Sequence, residues 1–289
     1  CSCAVMAQEQ KYILLDSLTA NFKIKHYTLD TSPYGPRRTI EMYNVFFSNY
    51  GLNKGEDYIM LFSILPDLSS KTDWEEIDFR KIENNLFPVK KIFTRAIYKV
   101  FSVPEKFSFS LKKEDDISGV RLVKKVKDKY YMSKNLWIED FYCMDYPRDM
   151  QVATKNFILN TNQPIKPMNI LKENYKKVVP FLTFPLDEDD LGFLIPDILE
   201  STYLSNIEDK LGNKIYYFYQ FCNARYIGEL AYIKDKGIVA GAYYDYFYTK
   251  GKRDSWDGDW AKLTHDGKRH LLWAEELKKE WAEKEKAKK

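Results

Sequence analysis

The sequence predicts an α+β protein in which helices pack on antiparallel β-meanders. Residues 214–249 carry the strongest pattern, because three runs rich in aromatic and β-branched residues are separated by short breaks that contain Asn, Asp or Gly. Residues 107–142 repeat this pattern with a period near two, and their breaks are short and charged. We therefore expect two meanders, with segments of helical periodicity packed on them.

The last strand of the first meander, residues 238–249, is apolar or aromatic on both faces. Alternate residues of a strand point to opposite faces. Such a strand is covered on both sides, or is covered on one side and used for binding on the other. If one face is used for binding, the candidate ligand-binding residues are Tyr243, Tyr244, Tyr246, Phe247 and Tyr248.

Before residue 107, four segments carry a secondary-structure signal and a fifth stays unassigned. Apolar spacing predicts a helix over residues 12–24, and residues 39–50 are apolar on every side and are left unassigned. Residues 57–65 have the composition of a short buried strand. A capping box at residues 72–75 predicts a helix to about residue 86. Pro88 then precedes a helical stripe that runs to residue 100.

Helices are also expected in the second half of the chain. Residues 170–179 keep helical spacing up to Pro180, and Pro196 opens a further helix that should end near Gly212. The last predicted helix carries Trp273, Leu277 and Trp281 on one stripe, which should dock it on the core.

The first seven residues have the form of the end of a secretory signal. Val5 and Ala7 occupy the two small-residue positions that signal peptidase reads, and the chain becomes polar at Gln8. We expect residues 1–7 to be a signal-peptide remnant, with a mature chain in the bacterial periplasm or outside the cell. Two alternatives stay open, an ordinary apolar N-terminus and a lipid anchor at Cys1 or Cys3.

Length and composition limit the domain organisation. The 289 residues, of which 45% are hydrophobic, are enough for one large domain or two small ones. Linker-like residues at 145–149 and 160–164 suggest an N-terminal region over 8–150 and a C-terminal region over 151–289, which can also form one continuous domain.

Charge and hydropathy exclude some partners. The net charge is +3 and the lysines are dispersed, so we expect no nucleic-acid partner. The sequence has no unbroken apolar run of about 18 residues, and we expect no transmembrane helix.

Cysteine spacing argues against a redox or zinc motif. If cleavage follows Ala7, only Cys143 and Cys222 remain, and neither belongs to a CxxC pair. One disulfide and two buried thiols remain equal alternatives.

His265 and His270 lie near the carboxylates of Asp254, Asp257 and Asp259. Three carboxylates in a glycine-containing loop resemble a calcium site, but their spacing is not that of an EF-hand, and Asp-Gly pairs are strong turn formers. We therefore interpret this loop as a turn and expect neither a metal nor a cofactor.

The sequence has no nucleophile elbow, phosphate loop, dinucleotide fingerprint or zinc-protease motif. We therefore expect an exported, non-catalytic binding or interaction protein whose partner is an unknown protein or glycan. One alternative is a secreted hydrolase that uses carboxylates and His265 or His270. Another is a carbohydrate-binding module with a Tyr-rich sheet face.

Overall fold

A computed structural model of the protein describes residues 10–35, 37–47, 56–88, 91–92, 119–145, 158–167, 201–221, 227–244, 246–247 and 271–288. Its strands are β1 (Tyr12–Leu14), β2 (Lys23–Asp30), β3 (Thr39–Phe46), β4 (Asp57–Ile64), β5 (Trp74–Ile77), β6 (Arg121–Val126), β7 (Lys129–Ser133), β8 (Leu136–Met144), β9 (Ile158–Asn160), β10 (Ser201–Lys210), β11 (Asn213–Phe221), β12 (Glu229–Ile233), β13 (Gly237–Gly241) and β14 (Leu272–Trp273). Two α-helices, α1 (Leu15–Asn21) and α2 (Glu275–Ala287), are described over their full length.

The strands form three sheets. The central sheet has the order β2-β3-β4-β8-β9, the small sheet has the order β1-β6-β7-β5, and the C-terminal sheet has the order β10-β11-β12-β13-β14. All the pairings are antiparallel except β1 with β6 and β8 with β9.

At β4 the central sheet is buried on both faces. In β4, Ile59 and Leu61 belong to the core shared with the C-terminal sheet and α2, whereas Tyr58, Met60 and Phe62 belong to the core shared with the small sheet and α1. Because alternate residues point to opposite faces, the unbroken apolar run over residues 58–62 supplies both cores. The described part is therefore three layers of sheet.

The protein is predominantly β. The expected antiparallel sheets are present, but in the described part other sheets, more than helices, cover the faces of the central sheet. The core shared with the C-terminal sheet contains side chains from both predicted regions, from Tyr27 to Trp281. The proposed division near residue 150 stays a prediction.

The meander predicted over residues 214–249 is confirmed from β11 to β13, with a turn at Lys234 to Gly237. Its last strand is shorter than predicted, because β13 ends at Gly241 and residues 244 and 246–247 are helical. The first segment of the meander predicted over residues 107–142 lies outside the described residues, and the prediction is wrong in its last strand. Strands β6 and β7 pair with each other, but β8 lies in the central sheet between β4 and β9.

The helix predicted from the capping box at residues 72–75 is wrong. Residues 74–77 form β5, which pairs with β7, and short 3₁₀ turns follow. The first of these turns is capped by Asp78, whose side chain accepts from the amide of Arg80 at 3.0 Å. Pairing with a neighbouring strand outweighs the local capping signal here.

The helix predicted from Pro196 to about Gly212 is also wrong over its described part, where residues 201–210 form β10. Leu211 and Gly212 have φ values of 50° and 80° and form the two-residue turn between β10 and β11. Glycine permits positive φ both after a helix and in such a turn, so the signal is ambiguous.

The other expectations have mixed outcomes. The strand over residues 57–65 is confirmed as β4, and the unassigned residues 39–50 contain β3. The helix predicted over residues 12–24 is reduced to α1 between two strands. The helices predicted over residues 170–179 and most of 88–100 lie outside the described residues.

The C-terminal helix is confirmed as α2, with Leu277 and Trp281 buried against the core. The placement of Trp273 on this helix is wrong, because Trp273 lies in β14, and its ring centroid is 5.2 Å from that of Trp281. Among the helices that the structure describes, none has the length and apolar character needed to cross a membrane.

Candidate functional site

A polar surface runs along one face of the β2–β3 hairpin. Three cross-strand pairs form it, namely Asp30 with Thr39, Thr28 with Glu41, and His26 with Tyr43. These six residues are called the hairpin face below. Tyr43 belongs to the core beneath the small sheet, so strand alternation directs this face toward that sheet.

The small sheet covers the hairpin face only in part. Tyr43 is buried and Glu41 is half-buried, whereas His26 and Thr39 are exposed. The face therefore lies at the rim of the layer between the central and small sheets, where polar side chains contact both protein and solvent.

Glu41 is the centre of a dense set of contacts. Its Oε2 atom accepts a hydrogen bond from the Tyr43 hydroxyl at 2.6 Å, and its Oε1 atom accepts one from Trp74 Nε1 at 2.7 Å. Lys124 Nζ lies 3.1 Å from Oε1 and 3.3 Å from Oε2. The ammonium group of Lys124 also lies 3.8 Å from the centroid of the Trp74 ring. Strands β3, β5 and β6 thus fix one carboxylate from three sides.

These contacts keep Glu41 ionised. Burial alone would raise its pKa, but the hydrogen bonds from Tyr43 and Trp74, together with Lys124, outweigh burial and leave the pKa below its usual value. Burial, reinforced by the charge of Glu41, raises the pKa of Tyr43 far above the usual range. The pair is therefore a carboxylate held by a protonated phenol across neutral pH.

His26 stands at the open side of this cluster. Its ring stacks on Tyr43 with centroids 4.3 Å apart, and its Nε2 atom lies 3.8 Å from Glu41 Oε2. Burial lowers the pKa of His26, although Glu41 and Glu276 act in the opposite direction. The imidazole is consequently neutral at pH 7 and retains both a donor and an acceptor nitrogen.

The start of α2 contacts the hairpin at Thr28. Glu276 accepts hydrogen bonds from the Thr28 amide at 3.0 Å and from its hydroxyl at 2.5 Å. An isolated bridge between Leu29 and Ala274 lies beside this contact. The outer edge of β2 is thereby closed at this point by the C-terminal helix.

An open cleft of about 660 Å³ lies where the hairpin turns, and its lining residues are Asp30, Ser32, Arg37, Arg38 and Thr39. Asp30 accepts hydrogen bonds from the hydroxyl and the amide of Ser32, and these bonds lower its pKa. The cleft therefore contains a fixed negative charge beside two arginines.

The aromatic residues predicted to bind a ligand lie mainly in the core. Tyr243, Tyr246 and Phe247 are buried between the central and C-terminal sheets, Tyr244 is half-buried, and Tyr248 lies outside the described residues. The Tyr243 hydroxyl lies 2.8 Å from Ser63 Oγ, and the Tyr246 hydroxyl donates to the carbonyl of Pro66. The three buried rings do not form an open aromatic surface. A binding role for the five residues stays a prediction that nothing has tested.

The other predicted chemistry is outside the described residues, including His265, His270 and the loop from Asp254 to Asp259. Within the described ranges no group of His, Cys, Asp and Glu side chains is arranged to hold a metal ion. Cys143 is buried in the core as a free thiol, and burial raises its pKa. Cys222, which would pair with Cys143 in the disulfide alternative, lies outside the described residues.

The hairpin face was not predicted from the sequence. Trp74 and Lys124 are 33 and 83 positions from Glu41, so no local spacing brings the three together. The only local signal is the alternation of Thr39, Glu41 and Tyr43 with Ile40 and Met42, which marks one polar face in an otherwise apolar strand.

Comparison of the chain with protein-family models, with curated proteins and with solved structures finds no match.

Proposed function

We propose that the protein is a non-catalytic binding protein and that the hairpin face contacts its ligand. The observation that supports this best is the state of Glu41. Its two oxygens are engaged by Tyr43, Trp74 and Lys124, and its pKa is lowered. A general base works best when its pKa lies near the working pH and its lone pairs are free, so this carboxylate is suited to holding a surface in position.

The geometry of the face suits binding. Glu276 fixes the Thr28 hydroxyl, and Ser32 fixes the Asp30 carboxylate, so these polar groups are ordered before a ligand arrives. Ordered groups lose little conformational entropy on binding. The exposed His26 and Thr39 leave the surface accessible to a polar small molecule.

Export from the cell is part of the same proposal and is motivated by the small residues Val5 and Ala7. The intact mass of the protein isolated from its native envelope tests it. We expect the mass of a chain that starts at Gln8. The mass of a diacylglycerol group on Cys1 or Cys3 would instead show that the protein is lipid-anchored.

Binding is tested with a panel of amino acids, monosaccharides and inorganic phosphate by isothermal titration calorimetry. Thr39→Trp places a bulky ring on the hairpin face and should raise the Kd of any ligand found by at least about tenfold. Thr19→Trp, at an exposed position of α1, is the matched control and should leave the Kd unchanged.

Three results would contradict the proposal. The first is that no member of the panel binds, and the second is equal affinity in the two Trp variants. The third is turnover of model esters, peptides or glycosides that disappears in His265→Ala or His270→Ala while circular dichroism is unchanged. This third result would establish the hydrolase alternative.

A further inference from the structure

We infer that the cleft at the end of the β2–β3 hairpin binds a small zwitterion, a molecule that carries both an ammonium and a carboxylate group, such as a free amino acid. The inference rests on the proposed binding function and assigns it a ligand class. It is based on two opposite charges in one cleft, Asp30 and Arg37.

Asp30 is prepared to receive a cation. Its Oδ1 atom accepts from the Ser32 amide at 3.0 Å, and its Oδ2 atom accepts from the Ser32 hydroxyl at 2.5 Å. Each carboxylate oxygen accepts about two hydrogen bonds, so both oxygens keep capacity for an ammonium donor. Ser32 also fixes the direction in which the carboxylate points.

Arg37 is prepared to receive an anion. Its side chain is exposed, and in the described part of the chain it forms no hydrogen bond and no ion pair. Lys278 of α2 and, less strongly, Arg37 lower the pKa of Asp30 through their positive charges, but in the described part of the chain neither forms an ion pair with it. A guanidinium has five N–H donors in a planar fork that matches a carboxylate.

Arg38 is committed elsewhere, although it lines the same cleft. Its guanidinium pairs with Asp73 and donates to the carbonyl of Ser70 at 2.7 Å. Of the two arginines, Arg37 is therefore the one available to a ligand.

The two charges together select the ligand class. A simple anion would be attracted by Arg37 and repelled by Asp30. A simple cation would be attracted by Asp30 and repelled by Arg37. A zwitterion satisfies both groups at once, and the exposed hydroxyls of Ser32 and Thr39 are further partners for it.

Calorimetry with a graded series of zwitterions tests the inference. The probes are glycine, β-alanine, 4-aminobutyrate and 6-aminohexanoate, with acetate and methylammonium as singly charged controls. At least one zwitterion should bind about tenfold or more tightly than either control, and the best spacer length reports the separation of the two charges.

Variants identify the site. Arg37→Gln and Asp30→Asn should each weaken the best zwitterion by about tenfold or more. Arg80→Gln, at another exposed arginine, should leave its affinity unchanged, and circular dichroism checks that all three fold. Zwitterions that bind no better than acetate, or an affinity that Arg37→Gln does not change, would overturn the inference.

The outcomes separate the inference from the proposed function. A sugar or phosphate whose binding is lost in Thr39→Trp but kept in Arg37→Gln would sustain the hairpin face as a binding surface and refute the zwitterion. Absence of binding by every probe refutes both.

Discussion

Asn44 joins the central sheet to the C-terminal sheet through one residue of β13. Its Oδ1 atom accepts from the Ile238 amide at 2.7 Å, and its Nδ2 atom donates to the Ile238 carbonyl at 3.0 Å. Strand β14 pairs only with Ala240 and Gly241, so Asn44 supplies the partners that a neighbouring strand does not. All of these groups are buried, where an unmade hydrogen bond is costly.

Replacing Asn44 tests this link. Asn44→Ala leaves two buried backbone groups of Ile238 without partners, and each costs about 1–3 kcal/mol. We expect the free energy of unfolding to fall by about 2–4 kcal/mol in urea denaturation. Ser63→Ala, which removes one buried hydrogen bond to Tyr243, should cost only about 1 kcal/mol. Equal losses in the two variants would contradict the role of Asn44.

His26 gives the protein a specific sensitivity to acid. Burial holds its pKa in the folded state below the ordinary value, which the unfolded chain retains. The unfolded chain therefore takes up the proton first as the pH falls below about 6.5, and the folded state loses stability down to the lowered pKa. Glu41 and Glu276, whose pKa values are also lowered, stay ionised over this range and add little to the slope.

The expected result is a decline in the free energy of unfolding between about pH 7 and pH 5 that is shallower in His26→Gln than in the unchanged protein. Urea denaturation at a series of pH values measures it. An NMR titration of the His26 ring should give a pKa below 6.5. A ring pKa above that value, with stability that rises on acidification, would contradict the assignment.

At the scale of elements, two glycines distinguish the energetic cost of backbone strain from the cost of a close contact. Gly237 and Gly212 have φ values of 85° and 80°, so alanine is strained at both. A Cβ atom at Gly237 would lie 2.6 Å from Asn44 Oδ1, whereas one at Gly212 meets nothing within 4 Å. The turn before β13 therefore needs glycine for contact as well as for conformation.

We expect Gly212→Ala to cost about 1–2 kcal/mol, which is the strain alone. Gly237→Ala should cost about 2 kcal/mol more, because it also displaces Asn44 from Ile238. The difference between the two urea midpoints measures the close approach. Two variants of equal stability would show that the sheets do not meet at Gly237.

Elements were predictable where one local signal dominated. The strand over residues 57–65 and the turn at Lys234 to Gly237 agree with the structure because composition and turn chemistry point the same way. The helix predicted from the capping box at residues 72–75 was wrong because Trp74 and its neighbours pair with strand β7. The helix predicted to end near Gly212 was wrong because glycine occurs both after the end of a helix and in a two-residue β-turn.

At the scale of the whole molecule, the segment after β13 is part of the core. Tyr243 is fully buried, its ring centroid lies 6.1 Å from that of Trp137, and its hydroxyl contacts Ser63. Tyr243→Ala should therefore lower the free energy of unfolding by about 3–5 kcal/mol. Tyr216→Ala, at a half-buried ring of β11, should cost clearly less. Equal urea midpoints for these two variants would argue against a buried Tyr243.

The layered arrangement could not be derived from the sequence, because it depends on pairings between distant strands. The two apolar faces of residues 238–249 predicted one long strand, whereas β13 ends at Gly241, and the choice between a covered and a binding face could not be made from the sequence. The hairpin face depends on β3, β5 and β6 meeting at Glu41, and their positions follow only from the sheet order. Local composition predicted strands, and tertiary pairing decided which of them form the site.

The most direct test of the account is amide chemical-shift mapping during titration with the tightest-binding member of the ligand panel. We expect the largest chemical-shift changes at the amides of Thr28, Ser32 and Thr39, and no change at the amides of Tyr243 and Phe247. The largest changes at residues 243–247, or no change anywhere along the hairpin face, would contradict it.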